Sequence, residues 1–135
     1  MALLNTQSIN IGDQSFVLSE FTALDRLQGL EYQVANPAPV LGENPSEQDI
    51  ARHTLVMEVY HLHQITHSLA VSLKHGNDQF QQTDIPAIQQ DIQTNWPSRA
   101  INQAYELLIT LNQPPKALTE SEPKDDQEPV TLEKS

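Results

Sequence analysis

The longest periodic segment of the chain runs from Ser46 to His75 and repeats apolar residues at helical spacing. Ser46 is a favourable N-cap with Asp49 three residues later, and Gly76-Asn77 provides a stop signal. At 100° per residue, one face of this helix is apolar, and we expect it to form the core. That face carries Ala51, Leu55, Val59, Leu62, Leu69 and Leu73.

A second stripe of the same helix lies roughly 100° to 160° from the first. It consists of Val56, Tyr60, His63, His67 and Val71. The helix is therefore apolar over more of its circumference than one contact within a domain requires. We expect it to be sandwiched between neighbouring elements or partly reserved for another chain. These five residues are our candidates for partner binding, and the alternative is that they belong to the internal core.

Near the N-terminus, two short apolar runs flank the dipeptide Gly12-Asp13. Glycine suits the first central position of a two-residue type II′ turn, because that position needs a positive φ. The pattern predicts a β-hairpin that packs on a helix, since a lone hairpin is marginal in water. Its apolar face is expected to contain Ile9, Ile11, Phe16 and Leu18.

A helix is predicted from about Ser19 to Ala35, with Ser19 as the N-cap and Glu20 in the first turn. Asn36-Pro37 ends it, and the Pro-containing segment 36–46 is predicted to be a loop. The periodic positions of this helix recur at steps of three and four: Phe21, Leu24, Leu27, Leu30 or Glu31, and Val34.

Two shorter helices complete the predicted domain. The first follows Asp84, has Pro86 in its first turn, and repeats Ile85, Ile88 and Ile92 at helical spacing. Trp96-Pro97 separates it from the second, and Trp96, the only tryptophan, is expected to anchor the core at this junction. The stripe of the second helix consists of Ile101, Ala104, Tyr105, Leu108 and Leu111.

The last 22 residues differ in composition from the rest of the chain. Residues 114–135 contain four of the nine prolines and six acids against three lysines, with few apolar anchors. Such a segment buries too little apolar surface to offset about 1 to 2 kcal/mol of backbone entropy per residue. We therefore predict a mainly α fold, with a small helical domain and N-terminal β-hairpin over residues 1–113. Residues 114–135 are predicted to be a disordered, acidic, Pro-containing tail or linker.

The charge balance argues against direct nucleic-acid binding. Seven Lys plus Arg against 18 Asp plus Glu give a net charge of -11, which repels a phosphate backbone. The absence of cysteine removes disulfides, thiolate metal sites and cysteine nucleophiles. Neither a secretory signal nor a run of about 18 apolar residues is found. These features lead us to expect a soluble cytoplasmic protein that makes no membrane contact.

The sequence offers little catalytic chemistry. All five histidines fall in the central helix, and His63 and His67 share a face at a spacing that can hold one metal ion. The residues between them, 64–66, lack the general-base glutamate of the zinc-protease pattern. Clustered glycines for binding phosphate are also missing. We expect no catalytic residue, no cofactor and no metal, and the residues favour a non-enzymatic interaction protein.

Three blocks of the sequence resemble one viral protein family. They are residues 18–27 (LSEFTALDRL), residues 55–63 (LVMEVYHLH), and residues 94–101 (TNWPSRAI) with Ala104 beyond. Together with the preceding hairpin and the acidic C-terminal tail, in the same order, they resemble the tail assembly chaperone, protein G, of lambda-type long-tailed bacteriophages. The Leu-Ser-Glu helix start and the Trp-Pro junction are the most specific parts of the likeness.

The resemblance implies a non-enzymatic chaperone in the host cell cytoplasm. Such a protein coats the tape measure protein while the tail is built and is absent from the finished virion. The resemblance also implies a minor, longer product made by a programmed frameshift, whose extra domain recruits the tail tube protein. Homo-oligomers are a further expectation. The competing hypotheses are an acidic inhibitor that mimics nucleic acid, another small helical adaptor, and an enzyme that uses the histidine helix.

Overall fold

The computed structural model describes residues 3–113 of the chain. Two antiparallel strands precede four α-helices, with a short 3₁₀ turn at Asp78–Phe80. The strands are β1 (Thr6–Ile11) and β2 (Gln14–Ser19), and the helices are α1 (Ala23–Ala35), α2 (Glu47–Gly76), α3 (Ile85–Asn95) and α4 (Ser98–Leu111). The predicted mainly helical fold with an N-terminal hairpin is confirmed. The predicted disorder of residues 114–135 lies outside the described residues.

The hairpin closes at the predicted dipeptide. Ile11 pairs with Gln14, which leaves Gly12 and Asp13 as a two-residue connection. Gly12 has a φ of 60°, and Asn44 is the single non-glycine residue with a positive φ among residues 3–113. Asp13 therefore has a negative φ, as the type II′ turn requires.

The predicted helix start at Ser19 is wrong. Ser19 is the last residue of β2, and Thr22 is the N-cap of α1. Thr22 and Asp25 form a reciprocal capping box, in which the Thr22 hydroxyl accepts from the Asp25 amide at 3.0 Å. Phe21 and Glu20 thus precede the helix rather than lie in it. The capping box predicted at Ser46 and Asp49 on α2 is confirmed.

The core forms where the hairpin, α3 and α4 pack on the C-terminal part of α2. Trp96 packs against Phe16 with ring centroids 5.1 Å apart, which confirms its role as an anchor. Of the predicted hairpin face, Ile9, Phe16 and Leu18 are buried, and Ile11 is half-buried. The helices contribute Leu69, Ala70, Leu73, Ile88, Ile92, Ala100, Ile101, Ala104 and Leu108 to the core.

Gly76 and Asn77 end α2 against the free edge of β2. A Cβ at Gly76 would overlap the Val17 carbonyl oxygen, so only glycine permits this approach. The Asn77 side-chain amide donates to the Val17 carbonyl at 2.9 Å, and its oxygen accepts from the Val17 amide at 3.0 Å. One turn earlier, Ser72 Oγ accepts from the Ser19 amide at 2.7 Å and donates to its carbonyl at 2.8 Å. These side chains take the place of a third strand.

Candidate functional site

The predicted core face of α2 is buried over only part of its length. Leu69 and Leu73 are fully buried, and Thr66 is the first buried residue of the helix. Earlier on the same face, Leu55, Val59 and Leu62 are 64%, 45% and 38% exposed. The prediction that Ala51, Leu55, Val59 and Leu62 are core is therefore wrong, because the other described elements do not cover this part of the helix.

We call Leu55, Val59 and Leu62 the α2 ledge. On a helical projection these three residues lie within about 80° of Leu69 and Leu73, so the ledge continues the line of the core without a break. α2 has 30 residues and spans about 45 Å, which is longer than the hairpin and the two short helices can cover. The exposed ledge is thus an open extension of the hydrophobic core.

A groove of about 360 Å³ lies beside the ledge, between α2 and the start of α4. Its lining is mixed: Leu62, Ile65 and Ile101 are apolar, and the polar lining residues are Glu58, His61, Ser98 and Asn102. Because Leu62 belongs to both features, the ledge and the groove form one surface.

The predicted partner-binding residues divide into two groups. Val56 is 40% exposed beside the loop that contains Pro39 and Val40, Tyr60 is half-buried, and His63 is exposed. In contrast, His67 and Val71 are half-buried and line a groove of about 330 Å³ beneath α1. The structure therefore places this stripe next to α1 and its loop and does not gather it into one exposed patch.

α1 is attached to α2 by polar and aromatic contacts. His75 Nε2 lies 2.7 Å from Asp25 Oδ2 near the start of α1. Towards its end, the Tyr32 and His67 rings stack with centroids 3.8 Å apart, and Gln89 Nε2 donates to the Tyr32 hydroxyl at 3.2 Å. Burial at this contact lowers the pKa of His67 below its ordinary value. Within the structure described, α1 contributes no buried residue.

α1 carries four exposed apolar residues, which we call the α1 leucine stripe, and one of them, Leu30, also lines the groove between α1 and α2. Leu24, Leu27, Leu30 and Val34 are each more than half exposed. The helical spacing of this stripe is visible in the sequence, but its exposure is not. The sequence did contain an indication of which side of α1 contacts α2. Asp25 and Tyr32 share a face, and such polar and aromatic residues can pair with the histidines of α2.

Other site chemistry is sparse in the described part of the chain. Residues 3–113 contain no group of three or more His, Asp or Glu side chains that could hold a metal ion. None of the helices within that range has the length and apolar character needed to span a membrane. The features that remain are therefore exposed apolar surfaces, which suit the binding of another protein.

Comparison with protein families gives one match. Residues 2–129 match the family model described as the bacteriophage lambda tail assembly chaperone, TAC, protein G. The match spans nearly the whole chain, so the chain belongs to this family, whose role in building phage tails is non-catalytic. Comparison with curated proteins and with solved structures gives no match.

Proposed function

We propose that this member of the lambda tail assembly chaperone family binds and coats the tape measure protein in the host cell cytoplasm. It does so while the tail is assembled and is absent from the mature virion. A longer product made by ribosomal frameshifting recruits the tail tube protein. The family membership supports the general role. The binding proposal rests on the exposed α2 ledge.

The ledge has the chemistry that a helical tape measure protein would require of a chaperone. A long helical protein exposes apolar stripes until the tail tube encloses it, and an open extension of a hydrophobic core can cover such stripes. Each apolar side chain that becomes buried contributes about 1.5 to 3 kcal/mol before entropic losses. Three ledge residues therefore give weak binding per copy, and many copies along one tape measure protein bind together.

The second stripe of α2 is a further part of the proposed surface. Val56, Tyr60 and His63 lie on the part of α2 that precedes the core, at the side of the ledge. His67 and Val71 remain proposed contacts where α1 leaves them accessible. The net charge of -11 keeps free copies apart, and it makes binding depend on salt if the tape measure protein carries basic patches.

The binding proposal is tested by removing two ledge residues. The variant Leu55→Gln/Val59→Gln should lose co-purification with the tape measure protein while its helix content stays unchanged, because both side chains are already exposed. Ile50→Gln/Ile109→Gln is the matched control, since Ile50 and Ile109 are exposed to a similar degree, 48% and 46%, away from the ledge. The control should co-purify as the unaltered chain does.

Two results would count against this proposal. If the ledge variant retains the tape measure protein, the contact does not lie on the ledge. The variant Tyr60→Gln/Val71→Gln would then test the second stripe. Failure of the unaltered chain to retain the tape measure protein would reject the binding proposal altogether.

The frameshift proposal has a separate test in the DNA. We expect a slippery heptamer before the stop codon, near the codon for Lys134, together with an overlapping reading frame and a very long tape measure gene downstream. Mass spectrometry of infected cells should then detect a minor, longer product that shares the N-terminal peptides of this chain and departs from its sequence near Lys134. Without the slippery site and the overlapping frame, the proposal of a longer product fails.

A further inference from the structure

α1 is oriented opposite to the usual arrangement of an amphipathic helix. Asp25 and Tyr32 make its direct contacts with α2, and its leucine stripe is centred on about the opposite side of the helix. Leu30, at the edge of the stripe, also lines the groove between α1 and α2. An apolar stripe on an isolated protein normally faces the core, because burial of that stripe supplies most of the stability of a helix. The exposed α1 leucine stripe therefore has the arrangement of an interface between chains.

Three of the four stripe residues follow a heptad, and Leu24 falls at the flanking e position. With Leu27 at position a, Leu30 occupies d and Val34 the next a, while Ala23 occupies the preceding d. Asp25 and Tyr32 both fall at f, the position farthest from a coiled-coil seam. The direct contacts of α1 with its own domain therefore lie away from the seam. Leu30 at d borders the groove against α2 and is still 59% exposed.

The charged residues beside the seam indicate which helix pairs with α1. Arg26 is at g and Glu31 is at the following e, and both are exposed. In a parallel pair, g of one helix contacts e of the other helix five residues further on. Two copies of α1 in parallel would therefore place Arg26 of each beside Glu31 of the other. In an antiparallel pair identical flanks meet, and these two charges do not come together.

We infer that the α1 leucine stripe is the docking surface for a second copy of this chain, in a parallel two-fold pair. The pair is isologous, so it closes on itself and does not grow into a chain of copies. The seam is shorter than two heptads and the net charge of -11 repels the copies, so the association is weak. Arg26 Nη2 also donates to the Asn112 carbonyl oxygen at 3.3 Å, at an exposed position that leaves other guanidinium N–H groups free.

Sedimentation velocity of the purified full chain, over a concentration series at physiological ionic strength, tests this inference. The unaltered chain should show a concentration-dependent dimer, and Leu27→Gln/Leu30→Gln should remain a monomer with unchanged helix content. Leu55→Gln/Val59→Gln should still form the dimer, because the ledge is a different surface. No tape measure protein is present, so the result does not depend on the proposed function.

Charge-swap variants test the parallel geometry. Arg26→Glu and Glu31→Arg should each weaken the dimer about tenfold, because each turns two attractive contacts into repulsive ones. An equimolar mixture of the two variants should restore the dimer, since the mixed pair regains both attractive contacts. A monomeric unaltered chain, a dimer unaffected by Leu27→Gln/Leu30→Gln, or a mixture that stays as weak as its components would overturn the inference.

Discussion

The two halves of α2 have the same apolar face and opposite surroundings. From Thr66 onward, the face is enclosed by the hairpin, α3 and α4, and Leu69 and Leu73 are fully buried. Before Thr66, the face is equally apolar and remains exposed at the ledge. The comparison shows that helix periodicity identifies an apolar face but does not reveal whether the chain itself covers that face. For a chaperone, the uncovered half is the part available to other proteins.

The largest expected difference between the halves is the effect of shortening a leucine. Leu69→Ala should lower the free energy of unfolding by about 2 to 5 kcal/mol, since it leaves a cavity in the core. Leu55→Ala should change it by no more than about 0.5 kcal/mol, because Leu55 is exposed. Urea denaturation followed by helix circular dichroism measures both values. Equal losses would show that the ledge is buried in solution.

A smaller difference is expected for hydroxyl removal. Ser72→Ala leaves the buried amide and carbonyl of Ser19 without their side-chain partner, which should cost about 1 to 3 kcal/mol. Thr54→Ala in the exposed half removes only a bond to the Ile50 carbonyl of its own helix, so its effect should stay within about 0.5 kcal/mol. The same denaturation experiment compares them. If both variants unfold at the same urea concentration, the hydrogen bonds between Ser72 and Ser19 contribute no net stability.

The smallest expected effect is the pH dependence at His67, which lies where α1 covers the buried half of α2. Its lowered pKa means that the unfolded chain binds this proton more readily than the folded chain. The His67 contribution to stability is therefore complete above its ordinary pKa of 6.5, and it declines as the pH falls below that value.

The variant His67→Phe isolates this contribution, because phenylalanine keeps the ring stacked on Tyr32 and cannot titrate. Melting temperatures between about pH 7.5 and about pH 5.5 should fall less for the variant than for the unaltered chain. The other four histidines and Asp25 are common to both proteins, so the difference between the two curves reports on His67. Parallel curves would show that protonation of His67 is not linked to folding.

Much of the fold was predictable because local sequence signals determine it. Gly12-Asp13 specified the hairpin turn, Ser46 and Asp49 specified the start of α2, and Trp96-Pro97 separated α3 from α4. The start of α1 was mispredicted because Ser19 and Thr22 are both good N-caps. In the structure Ser19 belongs to β2, where it pairs with Thr6 of β1 and its backbone bonds the Ser72 hydroxyl, and Thr22 caps the helix.

The exposed apolar surfaces were harder to predict from the sequence than the helices and strands. By itself, the sequence determined where turns, caps and apolar stripes lie, because these depend on residues within a few positions of one another. The tertiary structure alone decided that the predicted core face of α2 is half open and that α1 directs its leucines away from the core. The first outcome depends on how far the short hairpin, α3 and α4 extend along a helix of about 45 Å. The second depends on the contacts of Asp25 and Tyr32 with the histidines of α2. Periodicity reports neither the extent of the neighbouring elements nor contacts between distant residues.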